Sequence, residues 1–141
     1  MIPDNISLQQ LNEQSRQTMA EHIGIVYTGV GRDWIEAEMP VDYRTHQPYG
    51  ILHGGASVVL AETLGSVGSH LIVAESGNLV MGLEVNANHI RRVSIGKVTG
   101  RATIIHAGKS THIWEIRITD EATILICIAR LTVIILKPEL K

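Results

Sequence analysis

Residues 54–74, GGASVVLAETLGSVGSHLIVA, come directly after His53 and hold a single formally charged side chain, Glu62. At about 100° per residue, the face of Glu62 carries Gly55, Val58, Val59, Gly65, Ser66 and Ser69. The opposite face carries Leu60, Leu64, Val67 and Leu71. A helix apolar on every side is a buried helix, so this segment reads as the core element around which the chain is built. An ionised carboxylate in such a place is costly unless it is paired or its pKa shifts. Glu62 is therefore either a structural ion-pair partner or the working group of a site, and the second reading is preferred.

On the N-terminal side, residues 7–18 (SLQQLNEQSRQT) read as a short amphipathic helix with Ser7 as N-cap. Residues 23–27 and 34–41 read as a hairpin about Gly31-Arg32-Asp33; in its second arm Ile35, Ala37 and Met39 alternate with Glu36 and Glu38. Residues 42–52 form a loop broken by Pro48 and Gly50. After Ser76-Gly77-Asn78 come four strand candidates, 79–88, 97–106, 111–119 and 124–136, the last almost continuously apolar as for a central strand covered on both faces. The order is helix, two strands, long buried helix, four strands. This predicts an α+β fold in which an antiparallel sheet wraps round one apolar helix. One sheet cannot cover a helix on all sides, so a second copy of the chain is expected to cover the rest.

A chain of 141 residues makes one domain, spanning 1–141, with a sizeable core. A formal charge of −2 gives no reason to expect nucleic acid or an anionic membrane as partner. The only cysteine, Cys127, lies in the apolar run 124–136, so it reads as a buried thiol; one cysteine excludes an internal disulfide and fits a reducing, cytoplasmic setting. The first residues, MIPDNISLQQLNEQ, have neither the basic nor the apolar region of a secretory signal. Residues 54–74 are long enough to span a membrane, but their glycines and serines with Glu62 and His70 make a poor span. His22, His46, His70 and His112 show no metal-ligand spacing, and no metal is expected.

Chemistry gathers where Gln47-Pro48-Tyr49-Gly50 leads into His53-Gly54-Gly55. Glycines at a helix start leave the first backbone N–H groups open, and these with the helix dipole favour developing negative charge, as an oxyanion hole requires. The Gln47 amide, just upstream, is placed to polarise the same carbonyl. Gly54 and Glu62 are eight residues apart, about 12 Å along a helix. One reacting carbonyl cannot contact both in the same helix, so joint action on one substrate requires two subunits.

The stretch HQPYGILHGGASVVLAETLGS, with VMGLEVNANHIRR further on, closely resembles the hotdog-fold acyl-CoA thioesterases. Within them it is similar to the branch that includes 1,4-dihydroxy-2-naphthoyl-CoA hydrolase and the proofreading thioesterase of enterobactin synthesis. The shared core is Gln-x5-His-Gly-Gly-x6-Glu-x3-Ser, met here at Gln47, His53, Gly54, Gly55, Glu62 and Ser66. The resemblance implies hydrolysis of acyl-CoA, with aromatic or bicyclic acyl groups favoured, and homodimers usually paired into homotetramers. It implies that Glu62 is nucleophile or general base, that Gln47 and the Gly54 amide polarise the thioester carbonyl, that His53 supports the site and that Ser66 sits beside the carboxylate or its water. It also implies that Gly82, His89, Ile90, Arg91 and Arg92, with His106, Ala107, Gly108, Lys109, Ser110 and Thr111, hold the nucleotide and pantetheine of coenzyme A. No cofactor is implied, since coenzyme A is part of the substrate.

Plainer readings stand beside these. Glu62 as a hydrogen-bonded structural carboxylate, His53 as a cap on the helix start, Ser66 as a small packing residue and Arg91-Arg92 as a solvated pair are each compatible with the sequence. Two other functions use the same residues: a hydratase or dehydratase acting on enoyl-CoA through His53 and Glu62, and a non-catalytic acyl-CoA-binding protein.

Overall fold

The computed structural model describes residues 1–137. A short helix α1 (Leu8–Gln14) is capped by the Ser7 side chain, which accepts the Gln10 N–H. A single turn of helix, α2 (Met19–His22), comes next. Strands β1 (Val26–Val30) and β2 (Trp34–Pro40) form the first hairpin. The long helix α3 (Gly54–Val73) runs into a 3-10 turn. Four strands complete the chain: β3 (Leu79–His89), β4 (Lys97–Ala107), β5 (Thr111–Asp120) and β6 (Leu125–Leu136). All six strands form one antiparallel sheet in the order β1-β2-β4-β5-β6-β3, so β1 and β3 are its edges.

The inner face of this sheet packs on α3. Ile35, Ala37, Met39, Val98, Ala102, Trp114, Ile116, Ile118, Leu131 and Val133 supply a buried inner row, and Leu60, Ala61 and Leu64 meet it from the helix. Complete burial of a leucine contributes about 1.5–3 kcal/mol. Gly100 lets Leu60 and Leu64 approach the backbone of β4. Gly65 and Gly68 do the same for Trp114, whose indole Nε1–H donates to Ser69 Oγ at 2.8 Å.

Four expectations change here, beginning with the N-terminal helix, which ends at Gln14 rather than at residue 18. The first strand begins at Val26 rather than at residue 23, because the α2 turn and Gly24 at φ +80° occupy the preceding stretch. β6 is buried on its inner side only: Arg130 is exposed on the outer face, and Ile128, Thr132 and Ile134 there are half-buried. Its apolar run thus reflects a sheet with an apolar inner row and a greasy outer one, not two covering layers. The helix, finally, is apolar all round but covered on one side. Gly55, Glu62 and His70 are exposed in the single chain, and Gly65 and Ser69, placed on the Glu62 face by the 100° step, are buried against the sheet.

Candidate active site

α3 begins where the loop over residues 42–52 is fixed from three sides. Thr45 is buried and its hydroxyl donates to the Pro40 carbonyl at 2.7 Å, while its own carbonyl accepts the His53 N–H at 2.8 Å. The Leu52 N–H reaches the Val93 carbonyl at 2.8 Å, and His46 Nε2 lies 2.9 Å from the Ser94 carbonyl. Asp42 accepts from Arg44, and that hydrogen bond holds its carboxyl down at about 2.

Within this frame residues 47–51 form a tight turn. The Gln47 N–H donates to the Ile51 carbonyl and the Gly50 N–H to the Gln47 carbonyl, each at 2.9 Å, with Gly50 at φ +73° where a side chain would be strained. The Tyr49 N–H donates to Gln47 Oε1 at 3.0 Å. That bond fixes the amide orientation: the oxygen is occupied, and the Nε2–H2 group is the end free to donate to a ligand.

His53 is the N-cap of α3, and its Nδ1 accepts the Gly55 N–H at 2.8 Å. An accepting Nδ1 places the ring proton on Nε2. The Ala56 and Ser57 N–H groups turn to the His53 carbonyl, leaving the Gly54 N–H without an acceptor among the described residues. The open amide and the free Gln47 donor share a cavity of about 340 Å³ lined by Gln47, Pro48, Leu52, His53 and Gly54. The oxyanion-hole elements read from the sequence are brought together.

A second cavity of about 300 Å³ continues from Leu52 and Gly54 to His89, Ile90, Arg91 and Arg92. The His89 ring lies on Gly54, where a β-carbon would stand 2.7 Å from Nε2. Two arginines, a residue type suited to an anionic ligand, thus line the same cavity as Gly54.

The remaining site residues stand elsewhere. Glu62 lies along α3 against β3, its carboxylate over Gly82. Gly82 is thus a neighbour of Glu62 and lies seven residues along β3 from His89, about 23 Å in an extended strand. The loop of His106, Ala107, Gly108, Lys109, Ser110 and Thr111 joins β4 to β5 at the Gly82 end of the sheet: Gly82 pairs with Val133, Val133 with His112, and His112 with Ala107. The loop closes on itself through the Gly108 N–H and the Thr111 carbonyl at 2.9 Å. Within one chain, then, the groups expected to hold coenzyme A fall at opposite ends of the sheet. Ser66 lies one turn beyond Glu62 and lines a third cavity with His70, Tyr27 and residues of α1. His70, weighed from the sequence only as a polar residue in an apolar helix and as a possible metal ligand, repeats the spacing of four that separates Ser66 from Glu62. Cys127 is buried, and burial pushes its thiol up, as befits a packing residue.

Comparison with known proteins agrees with this architecture. The thioesterase superfamily profile matches residues 49–127. The chain is 50% identical over 132 residues to the proofreading thioesterase EntH of Cronobacter sakazakii, covering 94% of this chain and 96% of that one. The crystal structure of the thioesterase HI1161 from Haemophilus influenzae superposes with a TM-score of 0.92 at 46% identity, covering 96% of this chain and 94% of that one. A mutant of the thioesterase PA1618 from Pseudomonas aeruginosa superposes at 0.93 with 45% identity, over 96% and 97% of the two chains. With the six-stranded sheet folded on one central helix, these likenesses make the chain a hotdog-fold member of the thioesterase superfamily, a thioester hydrolase.

Proposed function

We propose that this hydrolase cleaves acyl-coenzyme A, with aromatic or bicyclic acyl groups favoured, at a site completed by two copies of the chain. The observation that carries the reading is the separation within α3: a free Gly54 N–H with a free Gln47 amide donor at its start, and the Glu62 carboxylate eight residues on at Gly82.

Geometry supports the shared site. α3 runs antiparallel to β3, with Gly54 beside His89 and Glu62 beside Gly82. β3 is an edge strand of 11 residues whose Leu79, Met81 and Leu83 are 59%, 59% and 60% exposed. A long apolar edge invites pairing, and pairing with itself is isologous. A two-fold axis near Val58 and Val85, midway between Gly54 and Glu62 on the helix and between Gly82 and His89 on the strand, interchanges those two pairs of positions. It sets Glu62 of one copy opposite Gly54 of the other, covers the exposed helix face, and brings the His89–Arg92 group toward the partner's 106–111 loop. Pairing of such dimers into a tetramer rests on the resemblance to the family.

In this arrangement the thioester oxygen sits on the Gly54 N–H and the Gln47 amide of one copy. Glu62 of the other takes a proton from water as the water oxygen bonds to the carbonyl carbon, and the carbon–sulfur bond breaks as the intermediate collapses. Coenzyme A leaves as thiolate and gains a proton; the acid is released. In the variant route the Glu62 carboxylate attacks first, forming an anhydride that water opens. Label from ¹⁸O-water appearing in the Glu62 side chain after a single turnover identifies that route. Neither route needs a cofactor. The setting we propose is the cytoplasm, which suits a chain whose one cysteine is a buried free thiol.

The aromatic preference draws support from the motif's likeness to the aroyl-CoA branch. The test is thiol release across benzoyl-, hydroxynaphthoyl-, short-chain and long-chain acyl-CoA, with Glu62→Gln beside the wild type. Turnover that falls by about 10²–10⁴ in the variant supports the reading, and no thiol from any substrate overturns it.

A further inference from the structure

The His89 imidazole stands on Gly54 by its Nε2 edge: a β-carbon at residue 54 would lie 2.7 Å from Nε2, nearer than to Cδ2 or Cε1. A β-carbon is about 2.5 Å from its own nitrogen, so Nε2 is no more than about 5 Å from the Gly54 nitrogen. Gly54 and His89 line one cavity, and Arg91 and Arg92 line it two and three residues further on. In the proposed complex the thioester oxygen takes the Gly54 N–H, while the phosphates of coenzyme A are drawn to the arginines. The sulfur is bonded to the same carbon as that oxygen. It therefore lies at the Gly54 end of the cavity, beside His89.

Cleavage puts an electron pair on this sulfur, and two imidazoles stand near it, those of His53 and His89. His53 is already committed. Its Nδ1 accepts the Gly55 N–H at 2.8 Å, so the ring is neutral and could give up its Nε2 proton only by becoming an anion. Among the described residues the imidazoles engaged in hydrogen bonds are those of His46 and His53. Both nitrogens of His89 are thus free to carry protons. His89 is exposed at the end of β3, so solvent reaches it. Histidine changes charge near neutral pH. An alkyl thiolate, whose conjugate acid titrates at about 8.5 in cysteine, takes a proton from an imidazolium downhill.

Resting on the acyl-CoA reading above, we infer that His89 is a further catalytic residue, the general acid that protonates the departing sulfur. As the carbon–sulfur bond breaks, its electron pair passes to sulfur and the imidazolium Nε2–H gives its proton there. The thiolate is neutralised as it forms, and His89 is left neutral. Solvent then returns one proton to His89, and Glu62 releases to solvent the one it took from the attacking water. His89 thus acts on the leaving group, while Glu62 of the other copy acts on the nucleophile.

The test compares kcat/KM for two benzoyl thioesters in the wild type and in His89→Phe, which keeps a ring on Gly54 but carries no proton. One is the thioester of N-acetylcysteamine, an alkyl thiol. The other is that of thiophenol, whose thiolate is stable enough to leave unprotonated. Neither holds a nucleotide, so weaker coenzyme A binding cannot produce a difference between them. The phenyl-to-alkyl ratio should rise by about 10² in the variant, the share general acid catalysis supplies. His89→Gln, polar at this exposed position, runs beside it and should shift the ratio in the same way even where the larger ring disturbs the helix start. A ratio unchanged in both variants overturns this inference alone and leaves His89 as packing for Gly54. Absence of thiol release by the wild type from benzoyl-CoA, and from short- and long-chain acyl-CoA, overturns the acyl-CoA reading and this one with it.

Discussion

The Glu62 carboxylate rests on Gly82, so closely that a β-carbon at residue 82 would stand 2.5 Å from Oε1. A helix on one side and a bare strand position on the other thus set where the acid points. Gly82→Ala should push the carboxylate aside and lower kcat by about 10², the usual cost of an ångström of misplacement, with little change in thermal stability. Steady-state kinetics beside a melting curve reads both; unchanged kcat would mean that Gly82 does not position the acid.

The proposed division of the acid and the oxyanion donors between two copies makes two dead chains complementary. Glu62→Gln and Gln47→Ala, each of low activity alone, should recover about a quarter of wild-type activity after being unfolded and refolded together in equal amounts. That fraction comes from random pairing, in which half the dimers are mixed and each mixed dimer holds one intact site. No recovery would place both groups in one chain's site.

His53 caps α3 through Nδ1, and loss of an N-cap costs about 1 kcal/mol. His53→Ala should lose that stability and, by loosening the Gly54 amide, activity as well. His53→Asn retains a cap and should restore both, with activity within about tenfold of wild type. Equal inactivity in the two variants, by the same thiol assay, would assign chemistry to the imidazole itself.

Trp114 is wholly buried and its one polar atom bonds to Ser69 at 2.8 Å. Ser69→Ala leaves the indole N–H unsatisfied and should cost about 1–3 kcal/mol, seen as a lower urea midpoint with an unchanged slope.

His112 is 2% exposed on the inner row of β5, and its Nδ1 has no partner among the described residues. Burial holds its pKa below the ordinary histidine value. The unfolded chain therefore takes up a proton below about pH 6.5 that the folded chain refuses. Stability contributed by this group is fully present above that pH and falls on acidification, until the pH reaches the folded pKa. Melting temperatures taken between about pH 7.5 and 5 should decline more steeply in the wild type than in His112→Leu; equal slopes would place the acid sensitivity elsewhere.

Local signals carried much of the fold. β2 and the four later strands lie within one residue of their expected bounds, because residues such as Ile35, Ala37 and Met39, and the apolar run of β6, face a real apolar layer. The turn of α2 escaped notice because four residues are too short for a periodic signal. Strand order was not legible: that β3 lies on the edge beside β6 depends on pairings between residues as distant as Leu79 and Leu136. At the candidate site, the closeness of Gln47, His53 and Gly54 was legible because they lie within one loop and one helix start. The Tyr27, Ser15 and His70 cavity was not, because it joins α1, β1 and α3 across the chain.

Gly65 and Gly68 hold consequences for the other side of α3. A β-carbon at Gly68 would stand 2.6 Å from the Trp114 ring, and one at Gly65 would stand 2.5 Å from Leu131. The depth at which the helix beds into the sheet is therefore set by two absent methyl groups, and that depth also sets the height of Glu62 above Gly82. Any change that shims the helix from behind retunes the acid without touching a ligand. On the role proposed for Glu62, variants with altered rates are expected in the core as well as at the mouth of the site.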